Sequence, residues 1–383
     1  MASAATAPPA SPDATAPPAA APVRVEPAAA DDIAAAASAR VAAMSLREKA
    51  ASVVMGHIPT TDPDTLRAYM QKTGIGGFIL MGANIPGREQ SLRRVTSALT
   101  VDAALPPLIG VDEEGGDITR LPWDDFAGAS TLKSKPPADT ESAFLGRGAL
   151  VQRAGIGVNF GIVADIGGER SAFIDRRALG TSADGAAARV TAAVEGEAGQ
   201  VLSTLKHFPG HGAAAGDSHA MIPRTSMSKS AWLKKDALPF AAGIDAGAPL
   251  LMYGHLRYTA VDDAPASLSS TWHAIARDEL GFTGVAITDD LGMLQATGIA
   301  RYRSLVDNAV AALKAGNDMV LAVMFTNSGS AAKMVDGIVS AVEKGSLSQA
   351  RLDEAATRVM ELRLRLAATG PGLVPCDDCA AVG

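Results

Sequence analysis

The chain has 383 residues, 48% of them hydrophobic and 20% charged, which is enough for one large core or two ordinary ones. A net charge of −7 and an aromatic content of 4% speak against nucleic acid or an anionic membrane surface as partner, because neither a cationic excess nor a stacking platform is available. No apolar run approaches the roughly 18 residues that a membrane-spanning helix requires.

Residues 1–31 are Ala, Pro, Ser and Thr with a few acids, a composition that cannot bury a core and predicts a disordered linker. The segment lacks the apolar centre of a signal peptide. Such a stalk commonly follows a removed signal or a lipid anchor, so an extracytoplasmic location is expected, with a cytoplasmic one as the alternative. The globular pattern occupies residues 32–367. Asp31-Asp32 precede an Ala-rich amphipathic helix. Eight short apolar runs follow: Ser52–Gly56, Ile75–Gly82, Pro107–Val111, Gly157–Ile166, Val201–Leu205, Pro249–Gly254, Val285–Thr288 and Asp318–Val323. Between them lie segments with helical spacing, among them Ala183–Gly199, Lys229–Gly243, Trp272–Leu280, Tyr302–Ala315 and Ala331–Glu343. Strands that alternate with helices and carry almost no charge imply a parallel sheet buried on both faces. Eight such units in one chain predict an α/β fold, a single (β/α)8 TIM-type barrel, with a doubly wound open sheet as the alternative. A helix over Leu347–Leu366 would close the barrel, and Gly370-Pro371-Gly372 would end it. Residues 368–383 read as a tail. The tail holds the two cysteines, Cys376 and Cys379, which form one C-x-x-C pair and lack the second pair a zinc site needs.

Active sites of such barrels lie where the strands end. Here the third strand runs into Asp112-Glu113-Glu114-Gly115-Gly116 and the fourth reaches Asp165. The fifth reaches Lys206 and His207, the sixth Tyr253 and His255, and the seventh Asp289-Asp290. The fifth strand continues into Phe208-Pro209-Gly210-His211-Gly212 and then Asp217-Ser218-His219, where Pro209 and Gly210 turn the chain into a loop. Titratable groups gathered at strand ends are costly for folding alone and mark a candidate site. No P-loop, dinucleotide fingerprint or G-x-S-x-G elbow is present. What remains is carboxylate or histidine acid/base chemistry on a polar substrate, or a metal site. His207, His211, Asp217 and His219 could furnish metal ligands, but Pro209 and the glycines deny them the helix that an H-x-x-x-H pair uses best, so neither metal nor cofactor is expected. Several groups carry ordinary structural readings. Asp290 should face away from Asp289, Asp165 should brace a loop, and His211 should brace its own loop. His255 should line the floor or pack, His57 and His273 lack motif context, and Glu113 and Glu114 are as well suited to structural pairing as to substrate contact.

The stretch Lys206–Gly212 followed by Asp217-Ser218-His219 resembles the signature of family 3 glycoside hydrolases, specifically the NagZ-like β-N-acetylglucosaminidase branch. Val111–Gly116, Gly157-Val158-Asn159-Phe160, Tyr253-Gly254-His255, Gly281–Val285 with Thr288–Met293, and Ala315–Met319 resemble further motifs of that family in the family's order. The resemblance spans roughly residues 40–365 and implies an exo-acting, retaining β-N-acetylhexosaminidase that removes terminal β-linked GlcNAc from peptidoglycan fragments or chitooligosaccharides, without a cofactor and as a monomer. It implies Asp289 as nucleophile and His219, paired with Asp217, as general acid/base. Lys206, His207, Asp112 and an arginine after the fourth strand would bind sugar hydroxyls. Arg177 fits the family's pattern best, with adjacent Arg176 as its rival. Asp117 stands where the family usually has arginine, and Ala213-Ala214-Ala215 replace a more polar sequence. A GlcNAc phosphorylase, a β-glucosidase or xylosidase of the same family, and a catalytically silent cell-wall carbohydrate-binding protein are the alternatives. The combination of Asp289, Asp217 and His219 argues against the last, because binding alone needs neither a nucleophile nor a proton donor.

Overall fold

The computed structural model of the protein describes Met1, residues 30–168 and residues 172–368. Most of the predicted leader, the tail with Cys376 and Cys379, and part of the Gly167–Ala172 loop lie outside the described residues. The first helix spans Ala30–Ala43, so Asp31 and Asp32 occupy its first turn instead of preceding it. Carboxylates are favoured there because they face the unpaired backbone N–H groups. The last helix, Gln349–Ala368, starts two residues later than Leu347 and runs beyond Leu366.

All eight predicted strands form. They are β1 (Val54–Gly56), β2 (Gly77–Leu80), β3 (Leu108–Val111), β4 (Val158–Val163), β5 (Leu202–Phe208), β6 (Leu250–Tyr253), β7 (Val285–Thr288) and β8 (Val320–Leu321). Every neighbouring pair is parallel, in the order β8-β1-β2-β3-β4-β5-β6-β7. A parallel bridge between Ile287 and Met319 joins the two ends. The Thr288 hydroxyl also accepts the Leu321 amide at 3.0 Å. The sheet is therefore a closed (β/α)8 barrel and not an open doubly wound sheet.

The predicted Trp272–Leu280 helix is a short α-helix, Ser270–Ala274, followed by a π-helical turn over Ile275–Glu279. Two further differences have a clear local cause. The predicted Lys229–Gly243 helix is two helices, Lys229–Leu233 and Ala237–Asp245. Pro239 has no N–H to give to a continuous ladder, and it sits in the first turn of the second helix, where none is needed. The predicted Tyr302–Ala315 helix begins at Leu305, because the Ser304 hydroxyl caps it by accepting the Asp307 amide at 3.1 Å.

The barrel interior is filled by Met55, Ile79, Leu108, Phe160, Met252 and Ile287 together with residues from the remaining strands. Val359 and Leu362 of the last helix pack into the same cluster, so this helix closes the bottom of the barrel. Asp318, fully buried before β8, holds Arg277 and Arg351 at 2.6 and about 2.5 Å and Arg358 at 3.1 Å, tying the last helix to the strand bottoms. The upper end of the barrel is left for chemistry.

One aromatic cluster positions the loop that follows β5. Phe208 meets Trp232, Phe240, Tyr253 and Trp272 edge-on, with ring centroids 4.9–5.9 Å apart. Trp232 Nε1 donates to the Pro209 carbonyl at 2.7 Å, and the Tyr258 hydroxyl donates to the Gly210 carbonyl at 2.7 Å. Gly212 passes so close to the segment after β4 that a Cβ there would lie 1.9 Å from the Ile166 carbonyl oxygen. Five aromatic side chains, Trp232, Phe240, Tyr253, Tyr258 and Trp272, thus hold the Phe208–Gly210 part of the motif.

Candidate active site

The upper end of the barrel opens into a cavity of about 150 Å³. Asp112, Glu114, Arg177, Lys206, His207 and Asp289 line it, with His219 on one side and Met324 on another. The arrangement follows from the strand ends. On an ideal strand Lys206 and His207 would face opposite ways. The pairing of β5 with β6 shifts register between Leu205 and Phe208, and both side chains reach the cavity.

Asp289 directly follows β7. Its amide donates to the Tyr253 carbonyl at 2.9 Å, and its Oδ1 accepts the Asp290 amide at 2.8 Å. Burial raises the carboxyl, but His207, His255, the Asp290 amide and Lys206 outweigh it and hold Asp289 below the ordinary aspartate value. It is therefore an ionised carboxylate in a shielded place. Its neighbours in the sequence have other tasks. Thr288 closes the barrel. Asp290 caps the Leu291–Ala296 helix through the Gly292 amide at 2.9 Å. It also accepts the Val323 and Met324 amides at 2.8 and 2.9 Å. Asp290 thus marks a helix start, not a continuing strand, and its carboxylate is committed to backbone. His255 is fully buried and is not part of the cavity wall. Its Nε2 lies 2.8 Å from the Asp290 carbonyl, which can only accept, so Nε2 carries the proton and Nδ1 accepts from Ser267 at 2.6 Å. It braces the backbone beside Asp289.

The opposite wall is a charge network. Lys206 Nζ donates to Asp112 at 2.8 Å and to Glu114 at 2.6 Å. Arg177 grips Glu114 with two bonds of 2.8 and 2.6 Å. Burial pushes the Glu114 carboxyl up, yet Lys206 and Arg177 more than reverse this and bring it down to about 2. Glu114, left open between structure and substrate in the sequence, is the hinge of this network. Arg120 also lines the cavity, 3.9 Å from Asp112. Nothing in its local sequence singles it out; it arrives because Glu113 folds the loop back by accepting the Arg120 and Leu121 amides, both at 2.8 Å. Asn159 of β4 fixes that turn by accepting the Glu113 amide at 3.0 Å and donating to the Glu113 carbonyl at 2.9 Å.

The two candidate arginines separate cleanly. Arg177 is buried in the cavity wall, with its guanidinium 4.5 Å from the Phe173 ring. Arg176 is exposed and pairs with Asp117 at 2.6 Å, outside the cavity lining. The negative charge at Asp117 is thus met by a neighbouring cation. Replacing Arg177 by Ala should raise KM for a sugar substrate at least about tenfold and destabilise the fold by about 3 kcal/mol, because Glu114 loses a buried partner. Replacing Arg176 should leave both KM and Tm unchanged. Parallel kinetics and thermal melts check this, and the reverse ranking would contradict the assignment.

Asp165 was expected to be a brace outside the core set, and it acts directly on that set. Fully buried, it accepts from His207 Nδ1 at 2.7 Å and from the His211 amide at 2.6 Å. Burial, with Arg177 nearby, holds the His207 imidazolium well below the ordinary histidine value. Burial also raises Asp165, to about 6. At neutral pH the pair is a carboxylate and a neutral imidazole with its proton on Nδ1, so Nε2 is left as an acceptor for a sugar hydroxyl. Asp165 stands at a strand end like the others, so the same rule could have included it. Asp165→Asn should reverse the tautomer and lower kcat/KM by about 10²-fold, the scale of a misplaced contact, with the loss mainly in KM. A loss confined to kcat would assign His207 to proton transfer instead.

His219 and Asp217 lie on the loop after β5. His219 Nδ1 is 2.7 Å from Asp217 Oδ1, and both side chains are about half exposed. Burial raises the Asp217 carboxyl, but bonds from the His219 amide and ring together bring it below its ordinary value. Asp217 is therefore the acceptor, His219 carries a proton on Nδ1, and Nε2 is free to exchange one. His219 packs edge-on against Phe173 at 5.7 Å. His211 links the two ends of this loop: its amide is held by Asp165 and its Nε2 lies 3.1 Å from the Ser218 hydroxyl. Among the described residues no cluster of three or more His, Cys, Asp or Glu side chains could hold a metal ion. His207 is instead committed to Asp165, and His219 to Asp217.

Known proteins resemble this chain over most of its length. The glycosyl hydrolase family 3 N-terminal domain matches residues 45–362. A β-hexosaminidase of Chromobacterium violaceum is 36% identical over 272 residues, 67% of this chain and 73% of that protein. The structure of a family 3 β-N-acetylglucosaminidase from Paenibacillus sp. str. FPU-7 is 29% identical, with a TM-score of 0.77 over 85% of this chain. This chain spans 63% of that protein's length. A β-N-acetylhexosaminidase from Beutenbergia cavernae is 27% identical, with a TM-score of 0.72 over 84% of this chain and 98% of that one.

Proposed function

The chain belongs to glycoside hydrolase family 3 and is a glycoside hydrolase, and on that premise we propose that it is an exo-acting, retaining β-N-acetylglucosaminidase. It releases terminal β-linked GlcNAc from chitooligosaccharides or peptidoglycan fragments. The observation that carries this reading is the pairing of one ionised carboxylate, Asp289, with a His–Asp dyad at the same cavity. A retaining glycosidase needs a nucleophile beneath the anomeric carbon and a proton donor beside the leaving oxygen.

The sugar enters with its hydroxyls toward Asp112, Lys206, His207 and Arg177. These donors and acceptors would go unmet with a wrongly shaped sugar, which makes them a specificity device. Asp289 attacks the anomeric carbon and forms a glycosyl ester as the glycosidic C–O bond breaks. His219 gives the proton on Nε2 to the departing oxygen, while Asp217 steadies the ring through Nδ1. His219 then takes a proton from water, the water oxygen attacks the anomeric carbon, and Asp289 leaves with the β configuration restored. The dyad sits on a loop with Gly216 at φ 108°, a conformation open to glycine, which allows the loop to adjust over bound sugar.

The deciding experiment is hydrolysis of 4-nitrophenyl β-GlcNAc, β-glucoside and β-xyloside, with and without phosphate. Turnover of the GlcNAc compound alone, indifferent to phosphate, is expected. Acceleration by phosphate with release of a sugar phosphate would make the enzyme a phosphorylase, and preference for the other glycosides would make it a glucosidase or xylosidase. The composition of residues 1–31 supports an exported enzyme, which fractionation of the producing cells would test. No helix among the described residues is long and apolar enough to cross a membrane.

A further inference from the structure

We infer that Phe325 forms a stacking platform for the aglycone, taking the apolar face of a second β-pyranose ring outside the catalytic cavity. The inference rests on the glycosidase reading above and adds where the rest of the substrate lies. Three independent observations support it.

The first is exposure. Phe325 is 67% exposed, a large apolar ring left unpacked in a chain that has only nine phenylalanines and buries most of its bulky apolar side chains. The second is backbone conformation. Phe325 has φ 60° and is the one non-glycine residue with positive φ among the described residues. Glycine or asparagine would hold this turn at less cost, so a bulky aromatic here is retained against local preference. Such outliers gather at ligand-contacting positions.

The third is attachment to the reacting centre. Val323 and Met324, immediately before Phe325, form part of the cavity wall. Their amides are bound by the carboxylate of Asp290, the residue after the nucleophile. The Thr326 hydroxyl closes the turn onto the Val323 carbonyl at 2.5 Å. The backbone at Phe325 is therefore referred to Asp289 through two hydrogen bonds and two peptide units. A surface aromatic with no role would need no such anchoring. In an exo-acting enzyme the terminal sugar fills the cavity and the aglycone extends out of it, and Phe325 directly follows two residues of the cavity wall. The axial C–H face of a β-pyranose is flat and apolar and suits an aromatic face.

The test compares wild type with Phe325→Gly and Phe325→Trp. Substrates are methyl β-GlcNAc, whose aglycone is too small to reach the ring, and chitotriose, whose aglycone is a sugar. Glycine relieves the positive φ, so Tm of that variant should be equal or higher. The expected result for Phe325→Gly is a fall of about tenfold in kcat/KM for chitotriose, with methyl β-GlcNAc and inhibition by free GlcNAc unchanged, and near wild-type behaviour for Phe325→Trp. No change on chitotriose, or an equal fall on both substrates, would overturn the inference while leaving the glycosidase reading intact. A wild type inactive on both compounds would overturn that reading and this inference with it.

Discussion

Asp289→Ala is expected to lower kcat by about 10⁵-fold, the scale of a lost covalent nucleophile, with Tm little changed. The fold should survive because the Asp289 side chain satisfies only the Asp290 amide, whereas barrel closure and helix capping belong to Thr288 and Asp290. Added azide should restore part of the rate by entering the space left by the carboxylate. It would attack from the same face as Asp289 did and, with no second displacement, leave an α-glycosyl azide, identifiable by NMR. A β-azide product, or a variant with near wild-type activity, would remove Asp289 from the nucleophile role. The pH profile gives a second check. The active form is the carboxylate, and its folded value lies below the ordinary 3.8. Activity controlled by this group therefore persists as pH falls and is lost only below that value, so an acid limb of kcat/KM with a midpoint well above 3.8 must report another group.

His219→Ala should slow turnover of chitooligosaccharides by about 10²–10⁴-fold, as expected for a missing acid/base. The loss should depend on the leaving group. A 2,4-dinitrophenyl aglycone departs without a proton, so its glycosylation step should recover most of the wild-type rate and deglycosylation should become limiting, visible as a burst of phenolate. An equal loss for good and poor leaving groups would contradict an acid role. Because the His219 and Asp217 side chains are both about half exposed, this variant should unfold at the wild-type temperature. Asp217→Asn should have a smaller effect of the same kind, since it leaves the imidazole present but no longer held with its proton on Nδ1.

The barrel, and the gathering of titratable groups at one end of it, were legible in the residues themselves. Parallel strands buried on both faces leave uninterrupted apolar runs, and titratable residues at the ends of those runs stand out against them. Asp112, Lys206, His207 and Asp289 were readable in this way, because strand ends converge whatever the helices between them do. Pairing was not readable. Adjacent Arg176 and Arg177 have the same chemistry, and only the turn before them decides that one is buried on Glu114 while the other meets Asp117 at the surface. Asp165 looked like a spare carboxylate until the register of β5 brought His207 onto it. Arg120 is eight residues from Asp112 and became a wall of the cavity through a loop folded onto Glu113 and Asn159. Residue type and period, set by local chemistry, determine which groups reach the top of the barrel. Which cation neutralises which carboxylate, and which imidazole nitrogen stays free, depends on distances between segments far apart in the chain, and those exist only once the barrel has closed.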